Sequence, residues 1–492
     1  MTQVAITLLI KKPGHTGKAQ IFYHDIGDYL TREEKLHKVE TFADYAALPW
    51  EQLHPNEHND WINQRSGDFE DFIPLNDGDT AIFCMRSLGL ATGRDAWCYN
   101  FNKHYLQQKM NATIDFYNQQ VSIHGNICNS SGKNAESIVN ELIDTNPNNI
   151  KWNRNLRNDL CKLKKAVFIN SHVYNSVYRP YLKQWVYFDR QFNAMVYRQP
   201  SLFPTANHKN LAIAIHGLGG RKDFSCILTN MVLDLNSLEA GAQCFPLYHY
   251  EKAEPKGKAV EQGSLIPQKS KPKQLGLPMP KPVTEEYARK DAITDAGLAH
   301  FQTHYDDTSI SKEDLFYYVY GILHSPKYRE KYAADLKKML PRVPLAPDFW
   351  AFSKAGRELA HWHLDYEQVE PWPVEEERKP QGEQDDFTYY HVDKMRFPKK
   401  GEKGTIIYNG NITFKGIPLE AYDYVVNGKS ALDWIMERYA ITVDKDSGIR
   451  NDPNDWCREH NDPTYIYNLV KRIIRVSLET NRIVAGLPDF EG

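Results

Sequence analysis

The chain opens on two apolar runs separated by a short polar loop. Residues 4–10 and 19–24 are rich in β-branched, aliphatic and aromatic side chains, and Pro13, Gly14 and Gly17 lie between them. Such runs around a Pro/Gly loop are typical of an antiparallel β-hairpin. An opening this abrupt predicts that the hairpin completes a sheet whose other strands lie elsewhere. The alternative is a β-rich N-terminal domain.

Further along the chain, helical and strand patterns alternate, which predicts a mixed α+β and α/β fold. Residues 254–283 contain many Pro, Lys, Gly and Gln with little to bury, and this composition predicts a flexible insert. The other predicted elements are helices at 31–47, 105–117, 133–163, 285–340 and 430–480, a buried strand at 210–215, and a β-rich part at 387–426. Within the fourth of these helical regions, residues 315–323 are apolar enough to be central to a core.

Composition narrows the class of protein. A chain of 492 residues exceeds one ordinary domain, and 41% hydrophobic with 25% charged residues is a globular balance. The net charge of -3 and a pI near 6.7 do not point to a polyanion partner, so local basic patches must carry any case for nucleic acid.

The cysteines and the hydropathy of the sequence indicate in which compartment the protein is expected. The 7 cysteines form no C-x-x-C pair and are not joined by a histidine cluster, which predicts reduced thiols and no metal site. No run approaches the ~20 apolar residues that span a bilayer, so we expect a cytoplasmic protein without a membrane partner.

Aromatic and basic residues are interleaved at 178–190. We define this stretch as the aromatic–basic segment. Its candidate functional residues are Tyr178, Arg179, Trp185, Tyr187 and Arg190. The pattern fits a nucleic-acid face. Arginine stacked on tyrosine inside an ordinary protein interface gives the same pattern, and the residues alone leave both interpretations open.

A glycine-rich string, His216-Gly217-Leu218-Gly219-Gly220, follows the predicted strand at 210–215. Hydrolases of the α/β type place an oxyanion-hole loop of this composition after a strand, but they also need a G-x-S-x-G nucleophile elbow, and the sequence has none. A tight turn that accepts only glycine is the favoured interpretation.

Two other short motifs are also interpreted structurally. A phosphate loop is missing, because the Gly428-Lys429-Ser430 string lacks the upstream glycine. We predict instead that Ser430 caps a helix beginning at Ala431. The acidic string at 452–456 is interpreted as a turn rather than a calcium loop.

Several long, unusual strings occur in one order over almost the whole chain and carry a family resemblance. They lie at residues 10–30, 92–97, 178–190, 243–248, 291–295, 314–336, 424–439 and 451–456. In these stretches the chain resembles the C-terminal part of type ISP restriction-modification enzymes. Members of that family are similar to a nuclease, a helicase-like motor, an adenine methyltransferase and a target-recognition domain, joined in that order.

The resemblance implies three parts and a function. Residues 1–85 would be the end of an adenine methyltransferase domain, with the hairpin as the last two strands of its sheet. Residues 86–199 would be a helical connector, and residues 200–492 a target-recognition domain that binds double-stranded DNA. The implied role is sequence-specific DNA recognition in a restriction-modification system for phage defence.

The chain departs from the family where catalysis is concerned. Adenine methyltransferases hold a flipped base with an Asn/Asp-Pro-Pro-Tyr/Phe segment, and the nearest string, residues 146–149, lacks the second proline and the aromatic. The cofactor loop, phosphate loop and nuclease cluster are missing too. We therefore predict no catalytic residue and no cofactor in this chain. S-adenosylmethionine and ATP would be bound by the upstream domains of the family. A separate methyltransferase, helicase and nuclease polypeptide is one candidate partner, and the sequence leaves open whether this chain is a split subunit, a standalone gene product or part of a longer chain.

Candidate DNA contacts follow from the resemblance and from residue chemistry. Basic side chains would contact phosphates, and Arg or Asn at loop tips would read base edges. The predicted phosphate contacts are Arg221, Lys222, Lys394, Arg396, Lys399, Lys400 and Lys403. The predicted base readers are Asn409, Asn411 and Arg396. The aromatic–basic segment has the alternative role of seating the module against the methyltransferase.

Three hypotheses remain open from the sequence. The first is a DNA specificity module, the second a protein-interaction scaffold derived from one, and the third a hydrolase built on the glycine loop. The third requires the fold to place a Ser or Cys and a His against the amides of residues 217–220.

Overall fold

The computed structural model describes residues 5–28, 30–42, 44–253 and 287–491. These residues form two compact units that divide after Ser66. The predicted insert at 254–283 lies outside the described residues. The predicted domain boundaries at 85 and 199 stay predictions.

The smaller unit contains a helix, α1 (Arg32–Thr41), and two short strands, β1 (Ile21–Tyr23) and β2 (Glu51–Leu53). Thr31 begins α1 with a capping box: its side chain accepts from the Glu34 amide, and the Glu34 carboxylate accepts from the Thr31 amide. This agrees with the predicted helix at 31–47, although the helix ends earlier.

The predicted N-terminal hairpin is wrong for the described residues. Residues 5–10 form no strand, and β1 pairs antiparallel with β2 instead of with that run. The side chains of Leu9 and Ile10 are 90% and 91% exposed. A strand is stabilised by burying one face and pairing its edge, and residues 5–10 do neither within their unit. Val4 lies outside the described residues.

The helices of the larger unit range from one turn to 28 residues. They are α2 (Asp95–Cys98), α3 (Lys103–Ser130), α4 (Ala135–Leu142), α5 (Arg154–Cys161), α6 (Gln199–Leu202), α7 (Asp295–Tyr305), α8 (Lys312–Ile322), α9 (Pro326–Lys331), α10 (Ala333–Lys338), α11 (Phe349–Leu364), α12 (Asp386–Tyr389), α13 (Ala431–Arg438), α14 (Pro453–Glu459) and α15 (Tyr465–Ala485).

The strands of the larger unit are short. They are β3 (Ile73–Pro74), β4 (Ser87–Leu88), β5 (Tyr99–Asn100), β6 (Val173–Arg179), β7 (Leu182–Tyr187), β8 (Ala212–Ile215), β9 (Cys226–Thr229), β10 (Val232–Leu233), β11 (Gln243–Pro246), β12 (Tyr248–Lys252), β13 (Tyr287–Asp291), β14 (Arg342–Val343), β15 (Glu375–Arg378), β16 (Ile406–Ile407), β17 (Ile412–Lys415), β18 (Val425–Val426), β19 (Lys429–Ser430), β20 (Thr442–Val443) and β21 (Arg450–Asn451).

Two four-stranded sheets organise the larger unit. One has the order β10-β6-β7-β5, with β10 parallel to β6 and the other pairs antiparallel. The other has the order β4-β11-β8-β9 and is antiparallel throughout. A three-stranded sheet, β15-β17-β16, and several two-stranded pairs complete the strand pairing. Together with the helices this is a mixed α+β fold, as predicted.

The second sheet lies between two hydrophobic cores, which explains the continuous apolar run predicted as a buried strand. Along β8, Ala212 and Ala214 belong to one core, while Ile213 and Ile215 belong to the other. Successive side chains of a strand point to opposite faces. A strand covered on both faces therefore needs apolar residues at every position.

Helices α8 and α11 form the centre of the second core. Residues 315–322 of α8 are all buried, as predicted. The two helices approach closely at glycines: a Cβ on Gly321 would lie 2.3 Å from the Phe352 carbonyl oxygen, and one on Gly356 would lie 1.9 Å from that of Tyr317. Side chains at either position would separate the helices.

The third core lies among α3, α4 and α5 and is built by amphipathic helices. Leu156 and Leu160 of α5 are buried, whereas its other residues are exposed or half-buried. This agrees with the exposed helices predicted for 133–163. No helix in the described ranges combines the length and apolar character needed to cross a membrane.

Candidate nucleic-acid interface

The glycine loop, residues 216–220, is a tight turn held against a neighbouring turn. The Gly217 amide donates to the Glu239 carbonyl at 2.9 Å. A Cβ on Gly217 would lie 1.9 Å from the Ala240 carbonyl oxygen, and Gly219 has a φ of +77°. Both positions need glycine, for close approach and for backbone conformation respectively. The structural interpretation of this loop is confirmed.

The side chain of Glu239 organises the residues after the glycine loop. Its Oε2 atom accepts from the Arg221 amide at 2.8 Å and from the Lys222 amide at 2.7 Å. The Arg221 side chain is exposed and, within the described ranges, forms no ion pair. Its guanidinium is therefore open to solvent.

The amides of Gly217 and Gly219 are used inside the protein, so neither is free to contribute to an oxyanion hole. Besides Gly217, the Gly219 amide donates to the Lys337 carbonyl at 2.8 Å. The hydroxyl of Ser225 accepts from the Asn427 amide at 2.9 Å. His216 Nδ1 donates to the Gly217 carbonyl at 2.6 Å. These contacts do not meet the condition set for the hydrolase hypothesis.

The predicted phosphate contacts between Lys394 and Lys403 lie on a second loop, which is closed by a pair of backbone hydrogen bonds. The amide of Arg396 donates to the Ile407 carbonyl at 3.1 Å, and the Ile407 amide donates to the Arg396 carbonyl at 2.9 Å. Lys399 and Lys400 lie at the exposed end of this loop. Neither has an ion-pair partner among the described residues, and the same holds for the exposed Lys394 and Arg396 near the base.

Lys403 anchors the loop rather than extending from it. Its ammonium lies 3.6 Å from the Asp433 carboxylate and 4.6 Å from the centre of the Tyr422 ring. The Tyr422 hydroxyl donates to the Lys403 carbonyl at 2.8 Å. These contacts hold the loop against helix α13.

Basic residues from the stretch after the glycine loop and from the second loop both lie beside helix α13. Asp433 and Glu437 are four residues apart, so they lie on one face of the helix. Lys403 pairs with Asp433. Lys222 lies beside the turn that precedes α13, where a Cβ on Gly428 would be 2.8 Å from its Cδ atom. Residues separated by almost two hundred positions in the sequence thus flank one helix.

The basic side chains around Glu437 lower the pKa of its carboxyl group. Partial burial by itself raises the pKa of this carboxyl, but the hydrogen bond from Lys429 and the charges of Arg438, Lys429 and Lys222 together lower it. We define the basic rim as six cationic side chains that lie on the two loops and on the turn before α13. Its members are Arg221, Lys222, Lys399, Lys400, Lys403 and Lys429.

Sequence reasoning missed Lys429, Glu239 and Asn427. A signal for the turn was present, since Asn427-Gly428 between Val426 and Lys429 is a hairpin dipeptide. Asn427 and Gly428 have φ values of +52° and +76°, as such a turn requires. Glu239 has no comparable local signal.

The predicted base readers are engaged within the fold. Asn409 Nδ2 donates to the carbonyls of Tyr389 and His391, both at 2.9 Å. Its Oδ1 accepts from the amides of Asn411 and Ile412 at 2.8 and 2.9 Å. Asn411 Nδ2 lies 3.2 Å from the Tyr389 carbonyl. Base reading by either asparagine stays a prediction, and it would require breaking these bonds.

The aromatic–basic segment contains the end of β6, the whole of β7 and the residues after it, and most of it is inside the protein. Tyr187 is fully buried and stacks on Phe168. Trp185 is half-buried, 5.8 Å from the Trp456 ring and under the Lys103 ammonium. Arg190, at the end of the segment, is exposed.

Arg179 is the centre of a buried charge network. Its guanidinium lies 2.6 Å from Asp234 and 3.7 Å from Asp95, and stacks 3.9 Å from the centre of the Tyr178 ring. Burial raises the pKa of Asp234 to about 6, although the Arg179 charge opposes that rise. The Tyr99 hydroxyl donates to Asp234 at 3.0 Å. The geometry is that of arginine stacked on tyrosine in a protein interior, with no free face for a base.

Comparison with known proteins identifies the family. Residues 81–469 match the model of the Type ISP C-terminal specificity domain. The chain belongs to this family. The resemblance stated from the sequence is confirmed.

Three solved structures resemble this Type ISP specificity domain. One is a nuclease-deletion mutant of the Type ISP enzyme LlaGI in complex with a DNA substrate mimic, with 34% identity and a TM-score of 0.79 over 96% of this chain and 39% of that one. Another is the ATP-dependent Type ISP enzyme LlaBIII bound to DNA, with 31% identity and a TM-score of 0.80 over 98% and 28%.

The third is a DrdV–DNA complex, with 30% identity and a TM-score of 0.75 over 96% of this chain and 43% of that one. The chain spans less than half the length of each of these three proteins. A search of curated proteins found no match.

The matched range of the Type ISP specificity domain includes the basic rim, the glycine loop and the buried Arg179 network. Among the described residues, no group of three or more His, Cys, Asp or Glu side chains is placed to hold a metal ion.

Proposed function

We propose that this chain recognises a DNA target sequence for a Type ISP restriction-modification enzyme. The observation that carries the proposal is membership of the specificity-domain family over residues 81–469. The LlaGI, LlaBIII and DrdV structures, all with DNA or a DNA mimic, support the same partner for this chain.

The basic rim is our proposed site of backbone contact. Exposed lysines and arginines without ion-pair partners attract phosphates and release counterions. Arg221, Lys399 and Lys400 have this character within the described ranges. Arg396 is exposed as well, and its forked guanidinium suits a guanine edge, so it remains our candidate base reader.

The chain would act as one part of a larger enzyme. We propose that it has no methylation, translocation or cleavage activity by itself, and that S-adenosylmethionine and ATP bind to other domains or to a separate polypeptide. The absent Asn/Asp-Pro-Pro-Tyr/Phe string and phosphate loop support this division.

The test is selection from a random library of DNA duplexes with the purified chain, followed by binding measurements over roughly 50 to 200 mM salt. We expect an enriched sequence whose binding survives excess competitor DNA. Binding with no enriched sequence would contradict target recognition. No binding at low salt would contradict DNA binding altogether and favour the protein-interaction scaffold.

A further inference from the structure

We propose that Glu239 is a positioning residue of the DNA interface, which holds the backbone that presents Arg221 and Lys222. This inference rests on the proposed function. It adds a role for a residue that carries the opposite charge to the rim and that contacts the protein backbone instead of DNA.

The Glu239 carboxylate binds the backbone of two consecutive residues, Arg221 and Lys222. A single oxygen, Oε2, accepts from two consecutive amides, those of Arg221 and Lys222, at 2.8 and 2.7 Å. Hydrogen bonds to an ionised acceptor are about twice as strong as neutral ones. The side chain also lies against Gly220, where a Cβ would be 3.2 Å from Oε2.

The backbone of Glu239 is itself held from two sides. Its amide donates to the Asn427 side chain at 3.0 Å, and its carbonyl accepts from Gly217 at 2.9 Å. Asn427 belongs to the turn before α13, and its own amide donates to Ser225. Glu239 thus joins the glycine loop to the turn that carries Lys429.

The residues before Arg221 need such a restraint. Gly219 and Gly220 have wide conformational freedom, and Gly219 already has a positive φ. Without an acceptor for the two following amides, the loop would keep its charges but not their fixed positions. Fixed backbone contacts set the register of a protein on DNA, whereas charge alone supplies non-specific binding.

This residue has two effects of opposite sign. As a negative charge near DNA, Glu239 weakens binding to any duplex, so its removal would strengthen binding. As a positioning residue, it favours the target sequence over others, so its removal would lower that preference. The ratio of target to non-target affinity distinguishes the two.

The experiment compares wild type with Glu239→Ala, Glu239→Gln and Asp307→Ala, using a duplex selected by the wild-type chain and a random duplex of equal length. Asp307 is the matched control. Its Oδ1 accepts from the Ser309 amide and hydroxyl at 2.9 and 2.6 Å, in a loop that carries no member of the rim.

We expect Glu239→Ala to lower the ratio of target to random affinity by about tenfold, the equivalent of removing about one to two hydrogen bonds. Glu239→Gln keeps one acceptor oxygen and should give an intermediate ratio. Asp307→Ala should keep the wild-type ratio. Urea unfolding of each variant shows that the proteins compared are folded.

A ratio unchanged in both Glu239 variants, with tighter binding to the two duplexes alike, would overturn the inference and leave the proposed function standing. If Glu239→Ala does not fold, Glu239→Gln decides the question, and a wild-type ratio in that variant overturns the inference. A wild-type chain without sequence preference overturns the proposed function, and this inference with it.

Discussion

The aromatic–basic segment and the basic rim both contain cationic side chains, but Arg179 of the segment is buried whereas the rim lies at the surface. Tyr187 is fully buried, and Arg179 is paired with Asp234 and stacked on Tyr178. In the rim, Lys399 and Lys400 extend from a loop into solvent. The stretch in which basic residues are interleaved with aromatic ones thus lies mostly in the protein interior, whereas the basic residues of the loops lie at the surface.

The difference lies in what each cation contacts. Arg179 faces two carboxylates, those of Asp234 and Asp95, in a network that includes tyrosine hydroxyls. Lys399 has no ion-pair partner within the described part of the chain. A buried charge must be paired, whereas an exposed one keeps its hydration until a ligand arrives. Mutations in the two regions should therefore affect different properties.

The largest effect is expected from Arg179→Ala, which leaves the Asp234 carboxylate buried without its cation. Breaking a buried pair by removing one partner costs about 3–5 kcal/mol of the free energy of unfolding. Urea unfolding at pH 7.5 measures it. The destabilisation should shrink at pH 5, because Asp234, whose pKa is already raised to about 6, can then take up a proton.

Arg190→Ala is the matched control, since Arg190 lies in the same segment but is exposed. Its unfolding free energy should stay within about 0.5 kcal/mol of wild type. If Arg179→Ala were as mild as the control, the buried network would not be what stabilises the segment.

A smaller change in the free energy of unfolding is expected when the pH is lowered from 7.5 to 5.5, because a buried histidine stays neutral in the folded chain. His363 bonds the Tyr320 hydroxyl at 2.7 Å and the Thr480 hydroxyl at 2.9 Å. Burial lowers its pKa to about 3. Below pH 6.5 the unfolded chain takes up a proton that the folded one does not. The stability contributed by His363 is thus complete above pH 6.5 and falls by about 1.4 kcal/mol per pH unit towards pH 3.

Urea unfolding at pH 7.5, 6.5 and 5.5 checks this. The free energy of unfolding should fall less steeply with decreasing pH in His363→Gln than in wild type. The control is His361→Gln, because His361 and its partner Asp365 are both exposed. A wild-type decline in His363→Gln would mean that another group accounts for the acid sensitivity.

The smallest effect on stability is expected in the rim. The double variant Lys399→Ala/Lys400→Ala should unfold within about 1 kcal/mol of wild type, because both side chains are exposed. Its DNA binding should weaken for all sequences. The slope of log affinity against log salt should fall by about 0.9 for each phosphate that the variant no longer neutralises.

Lys354→Ala serves as the comparison for that variant, since Lys354 is exposed on α11, outside the rim. It should leave both affinity and slope unchanged. An equally large decrease in Lys354→Ala would mean that general charge, and no particular surface, determines the affinity.

Local features were predictable from the sequence because neighbours in the chain decide them. Ser430 accepts from the Asp433 amide and begins α13 at Ala431, as predicted. The apolar run at 210–215 contains the buried strand β8, and the run at 315–323 is in the core. The acidic string predicted as a turn instead begins α14, with Asp452 as its cap and Pro453 in its first turn.

Features that depend on distant partners were not predictable. The run at 5–10 has the residues of a strand, yet β1 pairs with β2. Glu239 is an ordinary acidic residue in the sequence, and its two backbone bonds exist only because the turn after β10 meets the glycine loop. Asn427 joins the same site from almost two hundred residues away.

The sequence by itself determined the family, the mixed α+β class, the apolar runs that form the cores, and the glycines that make the loop at 216–220 possible. Only the tertiary structure decided which basic residues are paired inside and which face solvent, and it alone brought the two cationic loops to one helix. The physical reason is that caps, turns and periodicity act over a few residues, while pairing and burial of a charge depend on contacts between residues far apart in the chain.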